Sequence, residues 1–117
     1  MYTMQERGDT MLVISDVIRG YTDTIILAQL KNGDSYGYEL NKKIQSITDN
    51  KFELKEATLY TTFRRLEDAG YITSYWGDEN IGARRRYYTI TNKGLELYKE
   101  NLKDWIEIKD MIDNLLK

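Results

Sequence analysis

A single change of period constrains this chain more than any other feature. Between Glu56 and Ala69, Leu59, Phe63 and Leu66 recur every three or four residues, the spacing of an amphipathic helix. Directly afterwards, Tyr71-Ile72-Thr73-Ser74-Tyr75-Trp76 and Arg85-Arg86-Tyr87-Tyr88-Thr89-Ile90 are rich in aromatic and β-branched residues, as strands are. Gly70 and Gly77 bound the first run, and Gly77-Asp78-Glu79-Asn80-Ile81-Gly82-Ala83 joins the two as an expected flexible tip. Helix, strand, loop and strand therefore follow one another within about 35 residues.

Upstream, Thr22 to Lys31 places Ile25, Ile26, Leu27 and Leu30 on a helical face, and Asn32-Gly33 stops it. Asp34-Ser35 is expected to cap a second helix through about Ile47, on which Tyr36, Leu40, Ile44 and Ile47 recur before Thr48-Asp49-Asn50 breaks it. Phe52-Glu53-Leu54 reads as a short strand ahead of the third helix. Near the start, Met11 to Ile14 is apolar, Ser15-Asp16 suits the cap of a short helix, and Gly20 interrupts it. Three regions result: residues 1–20, an N-terminal extension or short helix; 21–91, three helices and a hairpin; 92–117, a C-terminal helix. The fold class is mostly α with a small β-hairpin, in the order of a winged helix-turn-helix with a long helix appended.

At 117 residues there is room for one domain. The chain has no Cys and no His, which removes thiolate nucleophiles, disulfides, the usual zinc ligands and a histidine general base. No acid, base and nucleophile set can be assembled, so no enzyme, metal site or cofactor is expected. Gly77 and Gly82 stand at phosphate-loop spacing, but Ala83 occupies the lysine position and the context is strand to strand, which rejects a nucleotide site. No apolar run approaches the roughly 20 residues that span a bilayer, and the first residues do not form a signal peptide. A cytoplasmic protein without membrane contact is expected.

The formal net charge of -2 argues against nucleic acid until its distribution is read. Arg64 and Arg65 lie on the third helix and Arg84, Arg85 and Arg86 on the hairpin, whereas Glu96, Glu100, Asp104, Glu107, Asp110 and Asp113 gather in the last segment. At about 100° per residue, Leu59, Phe63 and Leu66 face a core, while Ala57, Thr61, Arg64 and Arg65 face away, with Thr58 and Tyr60 on the flanks. Small, hydroxyl and guanidinium groups of this kind can enter a major groove, although the same face alone would also suit an ordinary solvated helix. Lys55 occupies the expected N-cap position, where it stabilises poorly, and so suggests a phosphate contact. The three wing arginines could follow a backbone or enter a minor groove; each also reads as a solvated charge beside Asp78 and Glu79.

The last helix, from Thr91-Asn92 to about Leu116, would be about 37 Å long, more than its own small core requires. Leu95, Tyr98, Leu102, Trp105, Ile112 and Leu116 form one stripe, which widens beyond Trp105 to take in Ile108, Met111 and Leu115. Lys109 breaks a strict heptad, so a straight helix packing on a second copy fits better than a long coiled coil. These nine residues are the expected homodimer interface. Burial within one chain is the alternative.

The residues resemble the PadR family of bacterial transcriptional regulators. The resemblance is carried by Asp34-Ser35-Tyr36-Gly37-Tyr38-Glu39-Leu40, Ala57-Thr58-Leu59-Tyr60, Arg65-Leu66-Glu67-Asp68-Ala69-Gly70-Tyr71-Ile72 and Arg86-Tyr87-Tyr88-Thr89-Ile90-Thr91. Thr61 stands where the family usually has Pro, an outward position that bears on which operator is read. The resemblance implies groove contacts by Thr58, Tyr60, Thr61, Arg64 and Arg65, and backbone contacts by Tyr36, Tyr38, Lys55 and Arg84 to Arg86. Tyr60 serves equally well as a packing residue with its hydroxyl at the surface. A dimeric repressor on palindromic double-stranded DNA is implied, released by a small planar aromatic effector. Trp105, where the stripe widens, is the candidate effector residue; Asp104 and Glu107 would favour a cationic compound, and Trp105 could instead simply fill the interface. The competing function is a winged-helix adaptor that binds protein and does not read DNA.

Overall fold

The computed structural model describes the backbone of residues 7–78 and 84–117 and the side chains of residues 13–78 and 84–117. The expected flexible tip falls largely outside these residues, as do the side chains of Met11 and Leu12. Among the described residues five α-helices and two strands follow in the order α1 (Arg7–Ile18), a 3-10 turn (Arg19–Tyr21), α2 (Thr22–Lys31), α3 (Gly37–Ile47), α4 (Glu56–Asp68), β1 (Ile72–Trp76), β2 (Arg86–Ile90) and α5 (Asn92–Leu115).

The core lies where α2, α3, α4 and the hairpin meet. Ile26, Leu27 and Leu30 of α2, Leu40 and Ile44 of α3, Leu59, Phe63 and Leu66 of α4, and Ile72 and Tyr88 of the strands are all buried. The outward-to-inward division expected for α4 therefore holds, and Thr62 joins the inner face by donating its hydroxyl to the Thr58 carbonyl at 2.7 Å. Strands β1 and β2 pair antiparallel from Ile72↔Ile90 to Trp76↔Arg86. A bridge between Ser35 and Tyr88 adds a third backbone segment to this sheet, with Ser35 N–H to Tyr88 O at 3.2 Å and Tyr88 N–H to Ser35 O at 2.8 Å.

That bridge corrects the expected cap of α3. Ser35 is drawn into the sheet and its hydroxyl donates to Glu39 at 2.8 Å, while Tyr36 takes the N-cap position without a side-chain cap. Phe52-Glu53-Leu54 is likewise not a strand. Phe52 and Leu54 are buried, but the Leu54 backbone is held by one amide side chain: Asn41 Nδ2 donates to its carbonyl at 2.7 Å and Asn41 Oδ1 accepts from its N–H at 2.9 Å. With those groups satisfied, no partner strand is needed. Ser15-Asp16 does not begin a helix either, because α1 runs through both residues to Ile18.

Two helix ends use specific local chemistry. Gly70, at φ 83°, ends α4 in the left-handed region, with Gly70 N–H bonding to Glu67 O and Tyr71 N–H to Leu66 O. Thr91 caps α5, accepting from Gly94 N–H at 3.0 Å, and Gly94 lies so close to the Tyr71 carbonyl that a Cβ there would overlap it. Beyond that start, α5 packs on α2 and then runs past the body; Gly94 is its one buried residue.

Candidate nucleic-acid interface

Helix α4 presents Ala57, Thr58, Thr61, Arg64 and Arg65 to solvent and begins at Lys55, which has extended backbone and makes no side-chain cap. Tyr60 is part packed and part open. Its ring lies edge-on to Phe63 at 5.8 Å, yet 44% of the residue remains exposed. Its hydroxyl lies over Gly37 at the start of α3, where a Cβ would overlap it, so the small residue between Tyr36 and Tyr38 lets α4 approach α3. A groove of about 520 Å³ runs along this junction, lined by Tyr38, Asn41, Lys42, Lys55 and Tyr60 among others. Tyr38 is exposed, and the Lys42 ammonium lies 5.3 Å from its ring centroid.

The hairpin is fixed from both faces. On one, Tyr75 and Tyr87 stack at 5.6 Å, Tyr36 meets Tyr87 edge-on at 5.3 Å, and Tyr75 donates its hydroxyl to Asp34 at 2.6 Å. Donation to that carboxylate raises the Tyr75 pKa above its ordinary value. On the other face, Glu67 of α4 accepts from Ser74 at 2.5 Å and from Arg86 Nη2 at 3.3 Å, while Arg86 Nε donates to Ser74 at 3.0 Å. The wing is thus tied to the α2–α3 turn and to α4, and the spacing between wing and α4 is built into the body.

The five candidate arginines divide by partner. Arg86 is engaged with Glu67. Arg65 makes a two-pronged contact with Asp23 at the start of α2, Nη1 to Oδ2 at 2.7 Å and Nη2 to Oδ1 at 2.6 Å. The hydrogen bond to Asp23 raises the Arg65 pKa further, against a smaller opposing effect of burial. Arg84 lies over the Trp76 ring at 5.3 Å and Arg85 over the Tyr36 ring at 4.8 Å. Arg64 has no carboxylate partner among the described residues. Asp23 and exposed Trp76 carried no pattern that marked them in the sequence; their roles depend on residues brought together by the fold.

On the far side of α2, Trp105 is 38% exposed and meets Tyr21 of its own chain edge-on at 5.0 Å. Both line an open apolar groove of about 300 Å³ with Val17, Ile25, Tyr98 and Leu102. Beyond it Ile106, Met111, Ile112, Leu115 and Leu116 are exposed, and Leu115 and Leu116 are the most open at 80% and 81%. Ile106 lay off the expected stripe, and Val17 of α1, 70% exposed, extends the apolar surface onto a helix that the stripe did not include. Among the described residues no helix is long and apolar enough to cross a membrane.

The family model for PadR-like transcriptional regulators matches residues 26–100, from α2 into α5. A transcriptional regulator from Clostridium thermocellum has a similar structure, with a TM-score of 0.81 and 51% identity, covering 88% of this chain and all of that one. A PadR family regulator from Clostridium difficile gives a TM-score of 0.72 at 36% identity, covering 83% of this chain and 99% of the other. The negative transcriptional regulator PadR of Bacillus subtilis is 26% identical over 81 residues, 69% of this chain and 42% of that protein. With its helices, its wing and a family match over residues 26–100, the chain belongs to the PadR-like family of transcriptional regulators, a family of DNA-binding proteins rather than enzymes.

Proposed function

We propose that the chain acts as a homodimeric repressor that reads a palindromic operator with α4 and its wing and is released by a flat aromatic compound. The observation that carries this reading is the outer face of α4, where Thr58, Thr61 and Arg64 stand exposed beside a wing anchored to the same body. Arg64 is the assigned base reader. Lys55, Tyr36, Tyr38, Arg84 and Arg85 are assigned to the phosphates, Tyr60 contributes its exposed edge, and Arg65 and Arg86 serve chiefly as intramolecular ties.

The exposed apolar side chains of distal α5, with Val17 of α1, support the pairing in this reading, because clustered surface of this kind marks an interaction site. A two-fold pair presents two α4 helices to half-sites about one helical turn, roughly 34 Å, apart or a multiple of it. The groove beside Trp105 is the proposed effector site, with ring stacking on Trp105 worth about 0.5 to 1.5 kcal/mol beyond burial. Asp104 and Glu107 are exposed nearby in sequence and favour a cationic ring system.

Binding to the DNA upstream of the protein's own gene, measured against unrelated duplex across a salt series, tests the reading. Arg64→Ala is expected to cost about 1 to 3 kcal/mol on the operator and to relax base preference at one position in each half-site. Arg85→Ala is expected to weaken all duplexes alike and to reduce the salt slope by about 0.9 per lost phosphate contact. If the parent binds no duplex in a salt-dependent way, the reading fails and the protein-binding adaptor takes its place.

A further inference from the structure

The contact between Asp23 and Arg65 joins residues 42 positions apart and lies on the flank of the proposed reading surface. Arg65 directly follows Arg64 on α4, yet the two guanidinium groups are in opposite electrostatic situations. Arg64 faces solvent with no carboxylate partner among the described residues, whereas Arg65 has two nitrogens on two oxygens of one carboxylate. The planar fork of Arg matches a carboxylate and a phosphate by the same geometry, so Asp23 occupies the donors that a DNA phosphate would use.

The stretch of helix that carries Asp23 is held by its neighbours on both sides. On one side, buried Thr22 donates its hydroxyl to the Arg19 carbonyl at 3.1 Å. On the other, Thr24 accepts from Asn101 of α5 at 3.0 Å, and two residues back Tyr21 rests on Trp105. A side chain on so anchored a turn gives up little freedom when it pairs, which favours the closed fork over one broken by each passing phosphate.

We propose that Asp23 is a positioning residue that withholds Arg65 from DNA and so limits the sequence-independent attraction of the reading surface. This rests on the DNA-binding reading above. Phosphate contacts draw a protein to every duplex, because each releases condensed counterions whatever the sequence. With Arg65 neutralised at home, discrimination falls to Arg64 and its neighbours, and the hold on unrelated DNA stays weak.

The test is the salt dependence of binding to unrelated duplex by the full-length parent, Asp23→Asn and the double variant Asp23→Asn/Arg65→Gln. Asp23→Asn is expected to bind more tightly and to steepen the slope by about 0.9 per chain, one additional phosphate contact. The double variant is expected to return to the parent slope, which separates release of Arg65 from simple loss of the Asp23 charge. Circular dichroism checks the fold of each variant, and Asp23→Ser replaces Asp23→Asn if the amide disturbs the turn. An unchanged slope in the single variant overturns the inference, as does a double variant as steep as the single. A parent that binds no duplex would instead defeat the DNA-binding reading, and this inference with it.

Discussion

The body built from α2, α3, α4 and the wing closes on itself, whereas the outer half of α5 does not. In the body Ile26, Leu27, Leu40 and Phe63 have no exposed surface, and among the described residues no buried side-chain polar atom lacks a partner. From Leu102 onward α5 carries five exposed large apolar residues besides Trp105, and Leu116 follows, although its sequence is nearly as amphipathic as that of α4. Periodicity thus states that a helix has an apolar face; it does not say whether the cover comes from the same chain. In α4 the cover is α2, α3 and the wing, and in distal α5 the proposed cover is a second copy.

The largest expected effect lies in the body. Phe63 is fully buried, stacked on Tyr88 with ring centroids 3.9 Å apart, and edge-on to Tyr60. Phe63→Ala should cost about 3 to 5 kcal/mol, the lost transfer energy plus a cavity bordered by two other rings. Urea denaturation checks this, and a loss under 1 kcal/mol would show that the body is not the tightly closed half of the comparison.

An intermediate effect is expected in α5, and its size depends on the assembly. Ile112 is 46% exposed in one chain, so Ile112→Asp in a monomer would stay within about 0.5 kcal/mol, as surface changes do. In the proposed dimer the same change puts a charge into the interface at two symmetric places and should cost about 2 kcal/mol or more for each copy. Sedimentation should then show the parent near twice the 13.8 kDa chain mass and the variant near one. A parent that sediments as a single chain at micromolar concentration removes the second copy from the comparison.

The same contrast explains what could be read from the residues. Leu59, Phe63 and Leu66 placed the inner face of α4 because one helix contains the whole pattern, and Thr91 marked the start of α5 because its partner, Gly94, is three residues away. The Ser35–Tyr88 bridge joins residues more than 50 positions apart, and nothing near Ser35 distinguishes a residue entering a sheet from one capping a helix. Phe52 and Leu54 have the alternation of a strand, yet Asn41, on α3, satisfies the backbone N–H and C=O of Leu54. At the candidate site, outward angle alone put Arg64 and Arg65 in one class, and only the fold brings Asp23 to Arg65. Local chemistry was legible; pairings chosen by the folded chain were not.

The smallest expected effect concerns Tyr88, the one buried tyrosine among the described residues. Burial raises the Tyr88 pKa above its ordinary 10.0, because a phenolate would lose hydration there; Glu67 adds to the rise and Arg86 opposes it. Between pH 10 and the higher folded value, the folded chain keeps a proton that the unfolded chain releases. The contribution to stability is therefore complete below about pH 10 and is lost as pH rises through the folded value. Tyr75, raised by its bond to Asp34, adds a term of the same sign from the surface. Tyr88→Phe preserves the ring over Phe63 and removes the titrating group, so its stability should fall less between pH 9 and 11 than that of the parent. Tyr75→Phe measured alongside separates the surface hydroxyl from the buried one. Parallel decline of the parent and Tyr88→Phe would mean that the Tyr88 hydroxyl is as well hydrated in the folded chain as in the unfolded one, and that the seam between wing and α4 is looser than the rest of the core.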